Sequence, residues 1–280
     1  NGIYKIGDVI SINTIVSHPG YHFIGYSGQF VGELENSLTP TYTILAQDAE
    51  NGRVEIHAEV ELNIYTVMVN SNYGGKLSLI GEQSYEHGTL LDIRVEIYDK
   101  YQLSSILYNQ REDIQNFNED KYSVGVVENL TIEFVFAPLL WNDVAKMPEG
   151  MGTSKNPYLI TTAEELAFIS WSINNGIPEQ MNQLKYDYAY YKIMNTIDLS
   201  DRFWTPIGTT EHPFNGIFDF NFMEITNLEV VDDVSLYKYG GLFDVIGSGK
   251  IINQFRNYTM LVIFIAVGSV VLVLFVLLVI

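Results

Sequence analysis

The chain has 280 residues, no cysteine and a formal net charge of −19, from 34 acidic and 15 basic residues. The missing cysteines exclude disulfides, thiolate metal sites and thiol nucleophiles, and the acidic balance argues against a grip on nucleic-acid phosphates. The mean hydropathy is nevertheless slightly positive, at +0.08, so an acidic body and an uncharged apolar segment share one chain.

The body opens with two similar stretches. In the first, Gly7-Asp8 leads into VISINTIV and then Gly20-Tyr21-His22-Phe23-Ile24-Gly25-Tyr26. In the second, His87-Gly88 leads into TLLDIRVEI and then Lys100-Tyr101-Gln102-Leu103. Gly7 corresponds to Gly88 and Tyr21 to Tyr101. Each stretch closes on an alternating run, Val54, Ile56, Ala58, Val60 and Leu130, Ile132, Phe134, Phe136. Period 2 marks strands with one covered face. Equal spacing in both copies predicts one shared β module, over 1–62 and 63–139. The second copy has an opening strand, Ile64–Val69, before Gly74-Gly75. The first copy begins at the equivalent of that turn, which predicts that the natural protein extends further N-terminally.

Leu140–Gly150 reads as a linker, with Pro148 and Gly150 as breakers. Thr162-Ala163-Glu164-Glu165 has the form of a capping box. Leu166, Ile169, Trp171 and Ile173 then give the apolar face of a helix that Gly176 and Pro178 end. Strand-like runs follow at Tyr188–Met194, Ile217–Phe222, Ile225–Val230 and Leu242–Ile246. Met260–Ile280 carries no charge. As a helix its 21 residues would span about 31 Å, matching a hydrocarbon core of about 30 Å. A single C-terminal transmembrane helix is therefore expected over 254–280.

Two resemblances add to this reading. The pattern YTVMVNSNYGGKLSL, YEHGTLLDIRVEIYDKYQLSSI and ENLTIEFVF resembles the divergent bacterial repeat related to internalin B-type repeats. It covers residues 1–138, with Lys100 where the repeat usually has Gly. This resemblance implies small β modules in tandem on bacterial surface proteins. The second pattern is GTSKNPYLITTAEELAFIS, YYKIMNTIDLSDRFWTPIG, PFNGIFDFNFMEITNLEV and GGLFDVIGSGKI. It resembles the bacterial surface unit that contains the GLUG motif, over 151–253. Phe220, Phe222-Met223 and Asp244 depart from that unit's small, glycine-rich positions. This resemblance implies a short right-handed parallel β-helix, capped here by one helix.

Candidate chemistry is sparse. His18 and His22 have a zincin-like spacing, but Pro19-Gly20 between them forbids a helix. His57, His87 and His212 stand alone. Asp198, Asp201, Asp219, Asp232 and Asp233 read as turn acids. A calcium site on Asp198 and Asp201 lacks the D-x-D-x-D-G loop. The Gly247-Ser248-Gly249 run is no phosphate loop. No catalytic, cofactor-binding or metal set is expected. The one candidate binding group is Tyr186, Tyr188 and Tyr190, which alternation would place on one strand face as a carbohydrate platform.

The fold class expected is therefore mainly β: tandem modules, a short parallel β-helix and a single membrane span. The expected function is a membrane-anchored bacterial surface adhesin or stalk, not an enzyme, with the bulk of the chain extracellular. Its expected partners are the bilayer and a host or cell-surface protein or carbohydrate, with no nucleic acid. The alternative is a surface carbohydrate-active hydrolase or lyase, or the appendage of a larger hydrolase or peptidase.

Overall fold

The computed structural model describes residues 2–28, 37–178, 185–231, 241–253, 262–267 and 270–275. It is mainly β, with 43% strand and 12% helix. Two compact units are formed, one from residues 1–97 and 103–136, the other from 98–102 and 137–280.

The first unit holds the first copy of the repeat and all of the second except residues 98–102 and 137–139, and the backbones of the two copies follow one plan. Gly7 N–H donates to Ile44 O and Ile44 N–H to Asp8 O; Gly88 N–H donates to Val126 O and Val126 N–H to Thr89 O, all at 2.7–2.8 Å. Gly7 and Gly88 share a positive φ, at 92° and 84°, where a side chain is disfavoured. In each copy the strand after this turn pairs antiparallel with a later one. Val9–Ser11 meets Thr41–Thr43, and Leu90–Ile97 meets Lys121–Gly125. Tyr21–Gly28 then neighbours Ile56–Leu62, as Tyr101–Tyr108 neighbours Leu130–Pro138.

The copies differ in burial. In the second, Leu130, Ile132, Phe134 and Phe136 are all buried, and Tyr122 packs edge-on to Phe134 at 5.7 Å. Leu130–Pro138 is the middle strand of a five-stranded sheet, and Ile64–Ser71 runs parallel to it and antiparallel to the edge strand Gly81–Glu86. In the first copy the alternating strand Ile56–Leu62 has no buried residue, and Val60 is largely exposed. Alternation there sorts the side chains to two faces without covering either one.

The second unit is a stack of parallel strands. Tyr158–Ile160, Tyr190–Ile193, Ile217–Asp219 and Lys250–Ile252 pair in that order. A second ladder joins Ile197–Asp198 to Ile225–Thr226, and single parallel bridges join Trp204 to Val230, Ile207 to Phe243 and Phe214 to Ile246. The runs expected at 225–230 and 242–246 are thus strand-like only where they meet the neighbouring coil. In-register inward residues Tyr158, Tyr191 and Phe218 are fully buried, and the Tyr158 and Tyr191 rings stack at 5.5 Å.

Helix Ala163–Asn174 lies against this stack. Thr162 Oγ1 accepts from Glu165 N–H at 3.3 Å, and the Glu165 carboxylate accepts from Thr161 N–H and Oγ1 at 2.7 and 2.6 Å. The cap therefore forms one residue earlier than a standard box on its return bond. Leu166, Ile169 and Ile173 are buried, but Trp171 is 38% exposed. Its spacing of two from Ile169 turns it off the apolar face. Leu140–Gly150 is no free linker. Trp141 is buried with its Nε1–H donated to Leu199 O, and Glu149 pairs with Leu159.

The expected transmembrane helix is corrected. Val262–Val267 and Val270–Phe275 pair antiparallel as a hairpin. Among the described residues no helix is long and apolar enough to cross a membrane. The single-pass membrane localisation derived from that helix falls with it. Ten of the residues from Met260 to Ile280 are Val or Ile, which favour strands. Residues 254–261, 268–269 and 276–280 of that segment lie outside the described residues.

Candidate functional site

The tyrosine platform does not form as alternation suggests. Tyr186–Tyr188 is a single 3-10 turn, and the strand begins only at Tyr190. Tyr186 is buried, edge-on to the Phe168 ring at 5.3 Å, and its carbonyl accepts from Tyr191 Oη at 2.7 Å. Tyr188 is 52% exposed. Tyr190 is half-buried and leads its strand on the outward side. A 3-10 turn has about three residues per turn rather than two, so Tyr186 and Tyr188 cannot share a face with Tyr190.

What the fold offers instead is the outward face of the parallel stack. Register sets its rows: Tyr190, Ile217 and Lys250 form one, and Leu159, Lys192, Asp219 and Ile252 the next. Neighbours within a row are separated by the strand spacing of about 4.8 Å. The alternation in Tyr190-Tyr191-Lys192-Ile193 and Ile217-Phe218-Asp219 carries this information in the sequence. The pairing of one row with the next does not.

The corners of the stack use a repeated brace. Asp198 Oδ1 accepts from Ser200 N–H at 3.0 Å and from Asn227 Nδ2 at 2.8 Å. Asp219 Oδ1 accepts from Asn221 N–H at 2.8 Å and from Asn253 Nδ2 at 2.9 Å. Asn227 and Asn253 both have positive φ, at 54° and 53°, a conformation Asn tolerates. Each asparagine follows the residue paired with the aspartate it binds, so one coil is tied to the next. The Asn227 amide, followed by the Ser200 N–H, holds the Asp198 carboxyl below the usual carboxylate range. Asp201 is exposed and is not part of this brace. Asp232 and Asp233 lie outside the described residues.

The remaining single residues serve the scaffold. His212 packs its ring over Gly176, where a Cβ would strike it. His22 Nδ1 meets Asn63 Oδ1 at 3.0 Å, and His18 packs edge-on to Tyr21. His57 pairs with Ser27 across a ladder. His87 lies beneath Gly20 and beside the Tyr65 ring. Among the described residues no group of three His, Asp or Glu could hold a metal ion.

Lys100 explains its own departure from the repeat. It occupies the position of Gly20 (φ 80°) and keeps the left-handed backbone, at φ 61°. Its side chain is 10% exposed, ion-paired with Glu229 and lying over the Phe203 ring at 5.5 Å. Ion-pair and cation–π contacts offset the strain that a glycine would avoid.

Asp244 follows the buried Phe243 in the second unit. Burial holds its carboxyl above the usual carboxylate range. A raised folded pKa means the fold disfavours the charged form. The penalty is absent below the unfolded pKa and grows as pH rises through that range towards the folded value. Asp244→Asn is therefore expected to raise the melting temperature near about pH 7 and to leave it unchanged near about pH 3. Tryptophan emission reports this unit alone, because Trp141, Trp171 and Trp204 all lie in it. An equal change at both pH values would assign the effect to packing instead.

Comparison of the chain with protein-family models, with curated proteins and with solved structures finds no match.

Proposed function

We propose that the chain is a structural module of a bacterial surface protein, a β-rich stalk or adhesive scaffold rather than an enzyme. The observation that carries this reading is the filled interior of the second unit. Tyr158, Tyr191, Phe214 and Phe218 are fully buried within it, so the stack's inside serves stability and its outside is left for contact. Parallel ladders tied coil to coil by Asp198–Asn227 and Asp219–Asn253 suit a load-bearing spacer. The repeated β plan of the first unit suits a tandem array.

Single-molecule pulling between the chain ends tests the mechanical part. The second unit is expected to yield in one discrete event. A gradual extension without a force peak would sink the reading. The enzyme alternative is tested by incubating the chain with a panel of polysaccharides and assaying reducing ends and unsaturated products. None is expected, and steady product formation would overturn the scaffold assignment.

A further inference from the structure

The outward face of the parallel stack has the composition of a sugar-binding surface. Its rows combine an aromatic ring and aliphatic side chains with amines and a carboxylate. Sugar rings present an apolar C–H face and a hydroxyl rim, so they need both kinds of neighbour. The spacing of about 4.8 Å between strands is close to the advance of one sugar unit along an extended chain.

The polar groups on this face are only partly used by the fold. Lys192 is opposite Asp219 in register, yet the two form no ion pair. The Asn221 and Asn253 bonds both fall on Asp219 Oδ1, which leaves Oδ2 available as an acceptor. Lys250 likewise has no carboxylate partner among the described residues.

Phe222 is the second, independent observation. It follows Asp219 in the turn that ends the strand, with φ 58° and 60% of its surface exposed. A bulky residue in the left-handed region is a genuine outlier and costs on the order of 1–3 kcal/mol. With 60% of the residue exposed, burial offsets little of that cost, so the exposed part of the ring is not explained by packing. Tyr188, 52% exposed, stands two residues before the start of Tyr190's strand.

Charge selects the ligand. One carboxylate and two amines nearly balance on this face, and a chain with net charge −19 repels polyanions at long range. We propose that the outward sheet face around Tyr190, Lys192, Ile217, Asp219 and Lys250, with Phe222 at its end, binds a neutral, hydroxyl-rich polysaccharide. The assignment goes beyond the stalk reading and does not depend on it, since pulling and binding are separate readouts.

Affinity electrophoresis of the full chain through gels containing a neutral glucan, a neutral galactomannan or polygalacturonate tests it. Retardation is expected with at least one neutral polymer. Tyr190→Ala and Phe222→Ala should each weaken it roughly tenfold, the scale of one central aromatic contact. Tyr122→Phe, in the first unit, should leave it unchanged. Phe222→Gly separates binding from folding. It removes the ring and the backbone strain together, so the melting temperature should rise while affinity falls. No retardation by either neutral polymer, retardation by polygalacturonate alone, or neutral binding untouched by both aromatic variants would each overturn the proposal. So would a Phe222→Gly chain that loses stability along with affinity.

Discussion

Phe218→Ala is expected to destabilise the second unit by about 3–5 kcal/mol, the range for emptying a buried aromatic site. Phe218 is fully buried and packs at 5.0 Å from the Phe220 ring and 5.2 Å from the Phe243 ring. It is paired in register with Tyr191 on one side and Ile251 on the other. These strands are held apart by backbone ladders, so the stack cannot collapse into the void and the full cavity penalty should appear. Guanidinium unfolding followed by tryptophan emission measures it. Phe222→Ala, which removes a largely exposed ring, should cost under about 1 kcal/mol in the same assay. A Phe218→Ala loss under about 1 kcal/mol would show that the interior is not packed as described.

Gly208→Ala is expected to cost about 2–4 kcal/mol, from two separable causes. Its φ is +87°, and a Cβ there would collide with the Val245 carbonyl oxygen of the adjoining coil. Gly81 isolates the first cause. Its φ is +89° but a Cβ would meet nothing within 4 Å. Gly81→Ala should therefore cost only the left-handed strain, about 1–2 kcal/mol, read by circular dichroism. The excess at Gly208 measures how closely two coils approach. Equal costs at both positions would mean the coils have room to part.

Much of the local structure was legible in the residues. Leu130, Ile132, Phe134 and Phe136 alternate, and all four are buried in one strand. Thr162 and Glu165 mark the helix start. The matched Gly7 and Gly88 are realised as matched turns with the same hydrogen bonds. In each case the cause is local, since a period, a cap or a φ angle acts within a few residues.

The candidate site was less legible. Tyr186, Tyr188 and Tyr190 were the natural platform on alternation, yet a 3-10 turn sends Tyr186 into the core. Phe222 and Asp219 came forward only through the turn and the register. Nothing in the spacing of Ile217 and Lys250 announces that they are neighbours, because their adjacency comes from pairing across 33 residues.

The residues by themselves determined which side chains of a strand share a face, and where a turn needs glycine. Only the tertiary structure decided which face is covered. It buries Leu130, Ile132, Phe134 and Phe136 and leaves the matching strand Ile56–Leu62 without a buried residue. It also pairs Val262–Val267 with Val270–Phe275, where length and hydropathy had pointed to a helix. Periodicity and hydropathy are properties of one segment, whereas burial and strand pairing depend on a partner that arrives from elsewhere in the chain.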